Sequence, residues 1–283
     1  MRHTNTPRRL LISVSFTTLL PVSAMAQDAI APDPSIGIVG MHADPIDEPL
    51  VTDRPDFTES TLAVPLGRVQ IEAGLTFTRD GAGGGEHAES FEASEVLLRV
   101  GLVRGFELRI GAPNYAWEDD GSAELDGLTD MGIGFKLELG EQSGVRPSLA
   151  VLGELSIPTG DLEFTSDEVD PTVLLAWAYD IGESGWSVAG NVGASSVSDG
   201  SGDRFEEFSS SLAMGIPLTG SLGAYAEYYG FYRHDAGAGP EHYFNAGLTH
   251  LINNNTQLDF RAGLGLNGTA DDFFTGAGVS FRF

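Results

Sequence analysis

Apolar and polar residues alternate along most of the chain after about residue 68. In RVQIEAGLTFT, the residues Val69, Ile71, Ala73, Leu75 and Phe77 share one parity, and polar or small residues fill the other. The same alternation recurs in FELRIGAP, DMGIGFKLEL and TQLDFRAGLGL. Because successive side chains of a β-strand point to opposite faces, this period of two predicts strands that each carry one apolar face.

The alternation predicts about 12 strands, an even number as single-chain bacterial barrels require. Their expected spans are 68–79, 90–102, 105–115, 127–139, 146–157, 169–180, 185–196, 205–217, 221–233, 242–252, 256–266 and 273–283. Short connections such as VRG, EQSG and NNN alternate with longer ones such as WEDDGSAEL and TGDLEFTSDE. We therefore predict an all-β fold, a transmembrane antiparallel up-and-down β-barrel over residues 68–283, with both termini in the periplasm.

The chain ends on an aromatic strand, FFTGAGVSFRF. An exposed aromatic edge strand invites aggregation, whereas a closed barrel has no edge. We therefore expect this strand to close the barrel against the segment that starts near Arg68. Phe281 and Phe283 also look like the C-terminal aromatic signal that outer-membrane assembly machinery reads.

A soluble β-sandwich would also show alternating strands. An apolar face on nearly every strand argues against it, as do aromatic residues near strand ends, which we expect to form girdles at the membrane interfaces. These residues are Tyr115, Trp117, Tyr179, Trp186, Tyr228, Tyr229, Tyr232, Tyr243, Phe244, Phe273 and Phe274.

The first residues of the chain predict an export signal. Arg2, Arg8 and Arg9 precede a short apolar stretch, and Ala24-Met25-Ala26 has the form of a cleavage site, which predicts a signal peptide over residues 1–26. A membrane anchor is the alternative. No later apolar run approaches the ~20 residues of a spanning helix. Residues 27–67 are rich in Ala, Asp and Pro, and we interpret them as a periplasmic leader or a plug.

Charge and composition exclude several classes of function. The formal net charge is −26, and a phosphate backbone requires a basic surface, so we predict no nucleic-acid partner. The acidity fits either general solubility or loops that attract cations. The chain has no cysteine, which excludes disulfides and thiol chemistry.

Charged residues on the inward parity are the candidate lumen residues. They could pair across strands and fill a narrow barrel, or they could line a polar pore, and parity does not separate the two. The candidates are Glu72, Glu95, Arg99, Glu107, Arg109, Lys136, Glu154, Glu227, Arg233, Asp259 and Arg261.

Four further charges, Asp53, Arg54, Asp56 and Glu59, come just before the first strand, in a segment where prolines prevent a helix. One hypothesis is an inward plug in which Arg54 meets lumen carboxylates such as Glu72, Glu154 or Glu227. The alternative is a periplasmic lead-in capped by local turns.

The block VTDRPDFTESTLAVPLGRVQIEAGLTFTRD (51–80) resembles the opening of an outer-membrane transporter family labelled "MetA-pathway of phenol degradation". LTDMGIGFKLEL, PSLAVLGELSIPTGD and the closing NNNTQLDFRAGLGLNGTADDFFTGAGVSFRF are further matches. The resemblance covers nearly the whole chain from about residue 51. It implies an outer-membrane barrel with a transport role.

No sequence motif indicates catalysis, a cofactor or a metal site, since G-x-S-x-G and H-E-x-x-H are both absent. We therefore predict a passive channel for small solutes, aromatic or hydrophobic compounds among them. A lipid-hydrolase barrel and a non-conducting structural barrel are the alternatives. The expected partners are outer-membrane lipid, the assembly machinery and a small-molecule solute.

Overall fold

The computed structural model describes residues 42–81, 88–198, 203–234 and 239–283. The predicted signal peptide and the start of the leader lie outside the described residues. No helix in the described ranges is long and apolar enough to cross a membrane.

The described chain forms one antiparallel sheet of 15 strand segments that closes on itself. The segments are β1 (Val69–Asp80), β2 (Ala88–Ala93), β3 (Leu97–Val103), β4 (Phe106–Gly111), β5 (Tyr115–Asp119), β6 (Glu124–Leu128), β7 (Met131–Gly140), β8 (Ser148–Ile157), β9 (Asp170–Asp180), β10 (Ser187–Ser198), β11 (Arg204–Pro217), β12 (Leu222–His234), β13 (Glu241–Asn253), β14 (Thr256–Gly265) and β15 (Phe273–Arg282). Because β2 continues β3, β5 continues β4 and β6 leads into β7, the barrel has 12 strands, which confirms the prediction.

Three predicted strands, 90–102, 105–115 and 127–139, are each broken at one point. The first break contains Ser94, which has a left-handed backbone with φ of 60°. The second contains Pro113, which has no N–H to donate to a neighbouring strand. The third contains Asp130, whose carboxylate accepts the N–H groups of Thr159 and Gly160, both at 2.9 Å. In each case a local feature of the chain breaks a strand that the alternation predicts to be continuous.

The expected long loop WEDDGSAEL is instead the tip of a hairpin formed by β5 and β6. The Asp120 carboxylate accepts the N–H groups of Ser122 and Ala123, each at 2.8 Å, and so stabilises a tight turn. The alternation does not reveal this hairpin, because residues 118–124 are mostly polar on both faces. The strands therefore extend further than the sequence indicated.

Apolar and polar side chains lie on opposite faces of the barrel wall, as predicted. Large apolar side chains on the outer face are exposed, among them Val192 (59%), Leu212 (52%) and Phe260 (50%). Such residues form the apolar band that a bilayer covers. The inward parity carries fully buried polar side chains, including Arg99 and Lys136, each 0% exposed.

The C-terminal strand closes the barrel against the first strand, as predicted. β15 pairs with β1 from Gln70 opposite Arg282 to Arg79 opposite Phe273. Phe283 adds two backbone hydrogen bonds with Val69, of 2.8 and 3.3 Å.

Deletion of Phe283 removes both of these terminal hydrogen bonds and one aromatic side chain. We expect the amount of assembled barrel in cells to fall severalfold, while protein that does assemble keeps the solute flux of the full chain. Heat-modifiable migration of outer-membrane fractions measures the assembled barrel. Substitution of Phe283 by Tyr keeps the backbone bonds and the aromatic ring, so this control should assemble normally. Equal assembly of the deletion variant would contradict the closing role.

Candidate functional site

Residues 42–67, called the leader below, follow one rim of the barrel to about residue 50 and then lie inside it. At one rim the Leu50 N–H donates to the Asn254 carbonyl at 2.7 Å. Arg282 donates to the Glu48 carbonyl at 2.5 Å. The leader then enters the lumen and returns at Gly67, whose N–H donates to the Gly101 carbonyl at 2.8 Å. The leader therefore enters and leaves the lumen at the same end of the barrel.

Carboxylates of the barrel wall accept the backbone N–H groups of the leader. Glu72 accepts those of Asp53 and Arg54 at 3.0 and 3.1 Å. Hydrogen bonds to an ionised acceptor are stronger than neutral ones, and they satisfy backbone donors that would otherwise be buried without partners. The further contacts are Glu227 with Phe57 (2.9 Å) and Thr58 (2.7 Å), Glu138 with Ala63 (2.7 Å), and Glu107 with Val64 (2.7 Å).

Asp53 is the centre of a buried ionic cluster. Its carboxylate lies 2.7 Å from Lys136 Nζ and 3.1 Å from Arg99 Nη1, and it also pairs with Arg109. Glu107 accepts a 2.8 Å hydrogen bond from Arg99 Nε. Arg99 also pairs with the wall carboxylate Glu72 at 2.7 Å, whereas Lys136 pairs only with leader carboxylates in the described ranges. Breaking a buried ion pair leaves an uncompensated charge, so Lys136 depends most directly on the leader.

Arg54 contacts different carboxylates from those suggested by the sequence. Its guanidinium lies 2.5 Å from Glu95 and 3.5 Å from Asp259. Of the expected partners, Glu72 meets only its backbone N–H. The Arg54 side chain lies flat across the paired inward glycines Gly74 and Gly278, and a Cβ added at either position would overlap its guanidinium. The two glycines were the sequence signal for this close approach.

Some of the other predicted site residues are bonded to a partner, and others form no ion pair. Glu59 binds Arg109 through both oxygens, each at 3.1 Å. Arg233 pairs with Glu207 at 2.7 Å, and Arg261 donates to the Pro55 carbonyl at 3.1 Å. By contrast, Asp56 and Glu154 form no ion pair with any residue in the described ranges. The lumen charges are therefore mostly paired, and Glu154 is the exposed exception.

Aromatic side chains line another part of the lumen. Phe57 of the leader stacks on Tyr229 at 4.8 Å between ring centroids, and Tyr229 stacks on Tyr243 at 4.9 Å. Phe274 meets Tyr243 edge-on at 6.1 Å. The girdle prediction is therefore wrong for Tyr229, Tyr243 and Phe274. Each of the three residues has the inward parity of its own strand. Tyr229, for example, shares the parity of the inward Glu227.

Two cavities remain beside the leader, with volumes of about 270 and 320 Å³. Both contact Glu59, Arg109 and Glu154, and the smaller one also contacts Phe57 and Phe231. An apolar protein cavity of about 150 Å³ admits benzene, so each of these is large enough for a small ring. Across the part of the chain that the structure describes, no acidic or histidine cluster is arranged to hold a metal ion.

A closed 12-strand barrel with an apolar outer face and a polar, occupied lumen defines the chain as an outer-membrane type β-barrel. It belongs to the family described as "Putative MetA-pathway of phenol degradation", whose model matches residues 52–283. This confirms the family resemblance.

Solved structures share the fold at low sequence identity. The COG4313 outer membrane channel from Pseudomonas putida F1 is 15% identical, with a TM-score of 0.60 over 81% of this chain and 100% of its own. The translocator domain of the autotransporter NalP from Neisseria meningitidis is 11% identical, with a TM-score of 0.51 over 76% and 88%. The NanC porin is 8% identical, with a TM-score of 0.50 over 75% and 98%. No match among curated proteins reaches significance.

Replacing Asp53 by Ala should destabilise the folded protein strongly, because Arg99, Arg109 and Lys136 lose a shared carboxylate. We expect the free energy of unfolding to fall by about 3–5 kcal/mol, the usual cost of breaking a buried pair. Denaturant titration of the refolded barrel in detergent micelles measures it.

Asp44→Ala is the matched control, because Asp44 pairs with Arg104, which is 73% exposed. Hydrogen bonds from Arg104 hold the pKa of Asp44 below its usual value. The contribution of this pair is therefore present at neutral pH and is lost as the pH falls through that pKa. We expect little change in stability for this control. An equal loss for both variants would contradict the ionic cluster.

Proposed function

We propose that this protein is an outer-membrane channel for passive entry of small solutes, in which the leader acts as a plug that narrows the lumen. The observation that carries the proposal is the position of residues 42–67, which are bonded to inward side chains around the barrel wall. Glu72 on β1, Glu107 on β4, Glu138 on β7 and Glu227 on β12 all accept leader N–H groups. A segment held on several sides limits passage to the space beside it.

The lining of that space supports a small, partly apolar solute. The 270 Å³ cavity has aromatic walls at Phe57 and Phe231 and aliphatic walls at Leu152 and Leu174. Its polar groups include Glu154, which has no ion-pair partner in the described ranges. Glu59, Arg109 and Glu207 also line this cavity, so its walls are mixed and suit a solute with both apolar and polar groups. Two of the structural neighbours are an outer membrane channel and a porin, which agrees with a transport role.

The membrane setting follows from the same proposal. Outer-membrane lipid covers the apolar outer face, and export depends on the signal peptide at residues 1–26. Phe281 and Phe283 form the signal for the assembly machinery, and both chain ends lie in the periplasm. The acidic extracellular loops favour neutral or cationic solutes at the mouth.

The main alternative is a lipid-hydrolase barrel, and two assays on the same refolded protein separate it from a channel. We expect liposomes that contain the protein to swell with small solutes and to release no fatty acid. Empty liposomes treated with the same detergent are the control for both assays. Phospholipid hydrolysis without swelling would contradict the proposal and favour the enzyme.

Deletion of residues 27–67 should increase single-channel conductance severalfold, because the lumen loses the segment that fills it. The wall carboxylates Glu72, Glu107, Glu138 and Glu227 would then face water, which solvates them. Planar-bilayer recording measures the conductance, after heat-modifiable migration has shown a folded barrel. Deletion of residues 27–41 alone keeps every leader contact described above and should leave conductance unchanged. Equal conductance of the long deletion and the full chain would refute the plug.

A further inference from the structure

The two cavities beside the leader adjoin one another at Glu154. This residue lines both of them, as do Glu59 and Arg109. In the strand register, Arg109 on β4 lies opposite Gly134 on β7, and Gly134 lies opposite Glu154 on β8. A single glycine therefore separates a buried cation from an exposed carboxylate on one inward row of the wall.

Arg109 does not pair with Glu154, because other carboxylates already surround it. Nη2 of Arg109 binds both oxygens of Glu59 at 3.1 Å, and Nη1 pairs with Asp53 and Glu107. The Arg109 side chain is also only 5% exposed. Its charge is therefore balanced within the protein, and it offers little to an anionic solute.

The Glu154 carboxylate, by contrast, is unbalanced and faces the cavities. It forms no ion pair and no side-chain hydrogen bond within the described ranges. It lies over Gly132, where an added Cβ would come 3.2 Å from Glu154 Oε1. The neighbouring Gly111 pairs with Gly132 and also lines the 320 Å³ cavity. Two residues without side chains therefore keep the space beside this carboxylate open.

The remaining charges around the two cavities do not compensate Glu154. Acidic side chains outnumber basic ones among the described lining residues, where the only basic ones are Arg54 and Arg109. Arg54 is occupied by Glu95 at 2.5 Å, and Arg109 is occupied as described above. The lining therefore presents a net negative charge to a solute.

The 270 Å³ cavity adds an apolar surface next to this carboxylate. The rings of Phe57 and Phe231 meet edge-on at 5.2 Å between centroids, and both line the cavity. Leu174 lines it as well, and so does Leu152, which precedes Glu154 by two residues on the same face of β8. An apolar group can therefore pack here while a polar group of the same molecule reaches Glu154.

We infer that this space binds a small organic cation, an aromatic or aliphatic amine, whose ammonium group meets Glu154 while its apolar part packs against Phe57 and Phe231. Hydrogen bonds between an ammonium and a carboxylate are charge-assisted, and aromatic rings also attract cations. An anion would meet the unbalanced carboxylate, and an inorganic cation would leave the apolar surface unused. This inference rests on the proposed function, since it names the class of solute that the channel takes.

Three small probes test the inference by calorimetric titration of the refolded protein in non-ionic detergent. Benzylamine carries an ammonium group and a ring at neutral pH, benzyl alcohol has the ring without the charge, and ethylamine has the charge without the ring. We expect benzylamine to bind at least about fivefold more tightly than either of the others, because only benzylamine uses both the carboxylate and the apolar surface.

Variants assign the charge effect to one residue. Glu154→Gln should weaken benzylamine binding at least about fivefold and leave benzyl alcohol binding unchanged, whereas Glu154→Asp keeps the charge and should retain most of the affinity for benzylamine. Glu141→Gln is the matched control, because Glu141 is an exposed carboxylate in the turn between β7 and β8 and forms no ion pair in the described ranges. It removes the same charge outside the cavities and should change no affinity. Every variant must first show the heat-modifiable migration of a folded barrel.

Equal binding of benzylamine by the Glu154→Gln variant and the unaltered protein would overturn the inference, and so would equal binding of the three probes. Liposome swelling with the same three probes tests the channel separately. Selective binding of benzylamine without swelling by any probe would support the site and refute the channel function. Swelling without selective binding would leave the channel intact and overturn the inference.

Discussion

A buried carboxylate among three buried cations is the constraint on which the rest of the lumen depends. Arg99, Arg109 and Lys136 project inward from neighbouring parts of the wall, and Asp53 of the leader pairs with all three. Arg99 and Arg109 also pair with wall carboxylates, but the described ranges give Lys136 no carboxylate outside the leader, so without the leader its buried charge would be uncompensated. In turn, Glu72 and the other wall carboxylates need the backbone N–H groups of the leader as hydrogen-bond donors. The leader and the wall are therefore one electrostatic unit, although they are separate in sequence.

This unit divides the lumen into two unlike sides. On the side of β1, β3, β4 and β7, charges and hydrogen bonds join the leader to the wall. On the side of β12 to β15, aromatic rings also face the leader, and Glu227 and Arg261 bond to its backbone. Inward glycines contribute to this asymmetry, since they let Arg54 and Tyr225 lie flat against the backbone. These inward glycines thus provide backbone surface on which other side chains pack, and they do not leave open space.

The strands, the closing pair and the inward faces were predictable because a period of two is a local property of the chain. Pairing across the lumen was not, because parity gives the face of a residue and neither its depth nor its partner. Arg54 illustrates this, since its partner Glu95 lies in a strand break that the alternation conceals. The aromatic error had a different origin. Tyr229 and Phe274 lie near strand ends, which suggests an interface girdle, but Tyr229 shares the parity of Glu227 and Phe274 that of Ser280, and parity decides the face.

The central claim is that the leader occupies the lumen, and a disulfide cross-link tests it most directly. The Thr58 and Ser211 hydroxyl oxygens lie 2.7 Å apart, so cysteines at both positions should form a disulfide in intact outer membranes under mild oxidation. Ser210 is adjacent on β11 but lies on the outer face, so the pair of Thr58→Cys with Ser210→Cys should stay reduced. A cross-link with Ser211→Cys alone is the predicted result. Failure of that pair to cross-link in a folded barrel would contradict the account.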